Sequence, residues 1–102
     1  MTAPPRSWRL VRPDGERLGR LVQDGAERSW ILCRFEADPG FTAVAELFAE
    51  DLGLIEEDEM DAWEMIHERI ADLGLVLVPE HGGEPLREFL LHVDGDRAWF
   101  RQ

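Results

Sequence analysis

The chain contains no lysine, no asparagine and no tyrosine, and all eleven of its cationic side chains are arginine. The missing residues share AT-rich codons, so the gap fits a GC-rich bacterial genome of actinobacterial type. Codon bias accounts for the arginine-only cations better than a need for bidentate guanidinium pairing does. A single cysteine, Cys33, excludes an internal disulfide. It sits in the apolar run Trp30-Ile31-Leu32-Cys33-Arg34-Phe35, where a free cysteine behaves as a small buried hydrophobe. No local histidine or helix N-terminus is there to activate it as a nucleophile. The segment Met1-Thr2-Ala3-Pro4-Pro5-Arg6 lacks the apolar stretch of a signal peptide, and no run approaches the roughly 20 apolar residues of a membrane span. A cytoplasmic location is expected. Positive charge is also scarce: 22 acidic residues against 11 basic ones leave a net charge of -11. Nucleic acids and anionic membranes both call for a cationic footprint, so neither is expected as a partner.

What is present describes a folded chain. With 102 residues, 44% hydrophobic and 32% charged, the composition is that of a globular protein. The length suits one compact domain, expected over residues 7–102 behind a disordered tail, residues 1–6. Three Asp-Gly pairs, Asp14-Gly15, Asp24-Gly25 and Asp94-Gly95, mark hairpin turns, since such turns need positive φ. They predict a meander of strands near 7–12, 17–23 and 28–36, and a late hairpin of 86–93 with 97–101. Asp38-Pro39 opens a helix as N-cap and first-turn proline. Phe41, Val44, Ala45, Phe48 and Leu52 form its apolar stripe, and Gly53 is placed as its C-terminal stop. A second helix is expected from Glu57 or Asp58 to Leu73, with Met60, Trp63, Ile66, Ile70 and Leu73 inward and Gly74 as its stop. Residues 75–78 make one more strand, stopped by Pro79, and 80–85 a loop. The fold expected is α+β, in the order β-β-β-α-α-β-β-β, with an antiparallel sheet or sheets and the helices packed on one sheet face.

Several strands are apolar on both sides. Residues 30–35, 75–78 and 89–91 break the alternation of a sheet with one wet face. Two helices cover only one face of a small sheet, so the other must be closed by curling, by a partner or by a second copy of the chain. Trp8, Trp30 and Trp99 all fall on strands, and tryptophan is enriched at interface centres. These three are the candidate interface residues of a homodimer, with ordinary core packing as the alternative.

The second helix carries the most unusual pattern. At 100° per residue, Glu57, Asp61, Glu64, Glu68 and Asp72 fall within about 80° of one another, opposite the apolar stripe. Like charges at this spacing repel by roughly 0.2–0.5 kcal/mol per pair. The macrodipole favours the acids at the N-terminal end but not Glu68 or Asp72. From Glu46 to Asp72 there are eleven acids and one base, Arg69. The stripe therefore has two explanations: the solvated face of an acidic protein, or a docking surface for a basic protein partner steered by charge.

Searches for chemistry give little. Glu56-Glu57-Asp58-Glu59-Met60-Asp61 lacks the ligand pattern and glycine of an EF-hand. Glu64-x-x-His67 has one half of a di-iron carboxylate pattern. Cys33, His81 and His92 match no zinc spacing. No metal and no cofactor is expected, and catalysis is the weaker expectation. The leading expectation is a small acidic binding module, an adaptor, inhibitor or immunity-like protein. The alternative is a small-molecule site or enzyme between helices and sheet, built on His67, Glu64 and the loop around His81.

Overall fold

The computed structural model describes residues 5–102. Of the expected disordered tail, residues 1–4 lie outside the described residues. The Arg6 guanidinium lies 4.9 Å from the centre of the Trp8 ring, and the Arg6 carbonyl accepts the Gln23 N–H at 2.8 Å. Nine elements follow: β1 (Ser7–Val11), β2 (Arg17–Glu27), β3 (Trp30–Ala37), a 3-10 turn (Pro39–Ala43), α1 (Ala45–Glu56), α2 (Met60–Asp72), β4 (Val76–Pro79), β5 (Leu90–Asp94) and β6 (Arg97–Arg101). Strands from both β regions join one antiparallel six-stranded sheet in the order β4-β1-β2-β3-β6-β5. The fold is α+β, with both helices between β3 and β4. Contacts set α1 against β5 and α2 against α1.

Turn chemistry explains two of the three hairpin signals and corrects the third. Asp14-Gly15 turns β1 into β2: the Gly15 N–H donates to the Arg12 carbonyl, Gly15 has φ +91°, and the Asp14 carboxylate accepts the Glu16 N–H. Asp94 pairs with Arg97 across the last hairpin, leaving Gly95-Asp96 as its loop. Asp24-Gly25, by contrast, lies inside β2. The register slips between Gln23 and Gly25, so the pair forms a β-bulge, the other structure that an isolated glycine in a strand signals. The chain reverses four residues later at Arg28-Ser29, with Glu27 paired to Trp30 and Arg28 at φ +57°. The longer hairpin gives Trp30 and Ile31 a strand partner that a turn at Gly25 would remove.

The helices differ from expectation at their ends. Asp38-Pro39 does open a helical segment, but it is a short 3-10 turn that stops before Val44, and α1 proper starts at Ala45. Gly53 does not end α1, which continues to Glu56 with the Gly53 carbonyl accepting the Glu57 N–H. Asp58 at φ +58° makes the break, a conformation that aspartate tolerates better than most residues. α2 consequently begins at Met60, after Glu59. Strand β5 begins at Leu90, while Leu86 makes a separate two-hydrogen-bond bridge to Leu77.

Register assigns the two faces. Trp8 opposes Leu21, which opposes Phe35; Ile31 opposes Phe100, which opposes Leu91. These residues, with Leu10, Leu77, Cys33, Val93, Val44 and Phe48, form the core. The Trp8 and Phe100 rings meet edge-on with centroids 5.0 Å apart, although β2 and β3 lie between their strands. A flat sheet would separate those strands by roughly 14 Å at the usual strand spacing. The sheet curls around its core-facing side, while the second apolar side of the strands lies on the opposite face. On the opposite face Arg20, Arg34 and Arg97 pair with Glu80, Glu36 and Asp24.

Candidate functional site

Four members of the acidic stripe, Asp61, Glu64, Glu68 and Asp72, stand exposed on α2. Glu57 is exposed too, but it caps α1 and precedes the turn at Asp58, so it is not part of the α2 face. Among the described residues none of the five makes an ion pair, whereas Asp24, Glu36 and Glu80 on the sheet each hold an arginine. Met65, 64% exposed, is the i+4 neighbour of Asp61 and lies three residues before Glu68, so it borders the carboxylates directly. Met60 is also exposed. The face is thus anionic and unpaired, with a flexible apolar side chain at its edge.

The three tryptophans separate. Trp8 is 1% exposed, edge-on to Phe100 within the core, so its indole offers no surface to a partner. Trp30 and Trp99 remain partly exposed. They line a cleft of about 610 Å³ with Leu32 and His92 from the sheet and Leu52 and Ile55 from α1. Leu32 pairs with Trp99 and Trp99 with His92 in adjacent strands, so the second apolar face of these strands becomes one wall of the cleft. α1 supplies the other wall.

Beneath that wall is an unanticipated polar cluster. Asp51 of α1 is 2% exposed; one carboxylate oxygen accepts the Trp63 indole N–H at 2.7 Å, and the other lies 2.5 Å from His92 Nδ1. His92 is 7% exposed, with ring centroids 5.4 Å from Trp30 and 5.7 Å from Trp99. A buried carboxylate must be matched by donors, and here one acid ties α1 to both α2 and β5. A sequence signal did exist: Asp51 follows Phe48 by three residues, which puts a carboxylate at the border of an otherwise apolar helix face.

His67 is half-buried, stacked on Trp63 with centroids 5.0 Å apart and an interplanar angle of 13°. It lines a second cleft, of about 270 Å³, with Ile70, Leu75, Phe89 and Leu91. Neither Glu64 nor His81 lines this cleft; His81 borders a separate depression beside Trp8 and Pro79. Cys33 is fully buried, and desolvation pushes its thiol up to about 12. Among the described residues no three His, Cys, Asp or Glu side chains converge to hold a metal ion, and no helix is long and apolar enough to cross a membrane. Comparison with protein-family models, with curated proteins and with solved structures returns no match.

Proposed function

We propose that the protein is a small binding module whose α2 face docks a basic protein partner. The observation that carries this is a contrast in charge pairing: Asp24, Glu36 and Glu80 are each matched by an arginine, while among the described residues Asp61, Glu64, Glu68 and Asp72 have no such partner. Repulsion along α2 lowers stability, with no compensating ion pair among the described residues. A cationic partner would relieve it and would be steered to the face at low salt. Exposed Met65 adds an adaptable apolar contact of the kind used at binding surfaces. The partner's footprint is therefore basic with an apolar residue among its cations. An adaptor, an inhibitor or an immunity-like protein would use such a face.

The test reverses Asp61, Glu64 and Glu68 to arginine and measures recovery of partners at low and at moderate salt. Recovery should fall by roughly tenfold or more, while the same reversal of Glu46 and Glu50 on α1 leaves it unchanged. Equal recovery with both sets of reversals would overturn the proposal. The second reading, a small-molecule site by His67, has one observation in its favour, the cleft that His67 lines with Ile70 and Phe89.

A further inference from the structure

We infer that the cleft between α1 and the β5–β6 end of the sheet binds a flat aromatic molecule carrying one weakly acidic group, a phenolic hydroxyl or a carboxylate. The apolar part of the argument is the lining. Trp30, Trp99 and Leu32 face Leu52 and Ile55 across about 610 Å³, ample room for a one- or two-ring ligand, and apolar walls with a few placed polar groups are the usual make-up of small-molecule sites. The polar part is His92. Its Nδ1 is engaged by Asp51, no hydrogen bond engages Nε2 among the described residues, and Nε2 is not one of the fully enclosed unpartnered atoms, so it keeps access to solvent. The His92 residue as a whole is 7% exposed.

Asp51 settles the chemistry offered at Nε2. An ionised carboxylate only accepts, so it holds the His92 proton at Nδ1 and orients the ring. Nε2 then presents a lone pair to the proton of a phenolic hydroxyl or of a carboxylic acid. In both cases one proton is shared between His92 and the ligand's acidic group. Charge at the rim agrees: Arg28 lines the cleft, and Arg101 lies 4.9 Å over the Trp30 ring, against the single acid Glu27. A cation would meet that arginine pair, and a purely apolar ligand would leave Nε2 buried without a partner. This site shares no lining residue with the acidic face of α2.

The test uses phenol, benzoate and anisole as probes, each titrated to about 10 mM against isotope-labelled protein, with the indole N–H signals of Trp30 and Trp99 and the imidazole signals of His92 followed by NMR. Phenol or benzoate should shift all three residues saturably. Anisole, which has no acidic proton, should bind at least about fivefold more weakly, the scale of one hydrogen bond. Which acid binds more tightly distinguishes a hydroxyl from a carboxylate ligand. Ile55→Trp, at a 41% exposed position on the cleft wall, should fill the cleft and abolish the shifts with the remaining spectrum unchanged. His92→Phe should erase the preference for acids over anisole; should that variant fail to fold, Ile55→Trp carries the test. Absence of saturable shifts with either acid, anisole binding as tightly as the acids, or undiminished binding to Ile55→Trp would each overturn the inference.

Discussion

Arg20 sits at the junction of three strands, its Nε donating to Glu80 at 2.6 Å and a terminal nitrogen lying 3.4 Å from Glu36. Glu80 immediately follows β4, so this guanidinium spans β1 from β2 to reach the sheet's edge. The Arg20 hydrogen bond holds the Glu80 carboxyl below the usual carboxylate range, and Arg34 does the same to Glu36. A depressed carboxyl contributes stability above its unfolded pKa and loses it as pH falls through the folded value. The ordinary value for Glu80 is 4.5, so the loss belongs below that pH. Glu80→Gln should therefore lower the melting temperature at pH 6, with the gap to the unsubstituted protein closing as the pH is taken to 3. A gap that stays constant over this range would show that the Arg20–Glu80 contact contributes packing and not charge.

At the scale of elements, what could be read from the residues was existence and order, and what could not was where elements stop. All six strands and both helices are present in the expected order, because hydrophobic period and turn residues are local properties. Asp24-Gly25 misleads because the same two residues serve a bulge as readily as a turn, and only the pairing of Trp30 and Ile31 with β2 decides between them. Gly53 misleads for a related reason. Glycine is the usual residue after a helix, but here the Gly53 carbonyl accepts the Glu57 N–H and the left-handed residue comes only at Asp58, so the helix runs past it. The acidic face of α2 was legible as a pattern; its lack of ion-pair partners was not. The cleft was hidden because its polar pair, Asp51 and His92, is separated by 41 residues. Gly53 also provides a direct check on the helix boundary. A Cβ built there meets nothing within 4 Å, and an interior helical glycine costs roughly 0.5–1 kcal/mol relative to alanine. Gly53→Ala should raise stability by about that amount in a urea melt. Had the residue been a left-handed C-terminal stop, the same substitution would destabilise.

Over the whole molecule, the decisive feature is that one sheet buries itself. Strands that are apolar on both sides would ordinarily demand a third layer. Here curvature lets β1 and β6, with two strands between them, share a core through Trp8 and Phe100. The other face divides into an arginine–carboxylate layer over β2 and β3 and an aromatic cleft at the β6–β5 end. The curl can be measured energetically. In a flat sheet Trp8 and Phe100 would lie far enough apart for substitutions to add, as sites separated by more than about 7–10 Å usually do. Edge-to-face aromatic pairs in contact contribute roughly 0.5–1.5 kcal/mol beyond their buried area. The cycle Trp8→Leu, Phe100→Leu and the double variant, read by urea denaturation, should return a coupling energy in that range. Leucine keeps both positions apolar, so each single variant retains a foldable core while losing the ring contact. Additive effects would mean that β1 and β6 do not meet across the core, and the core-facing side of the sheet would then need another covering layer.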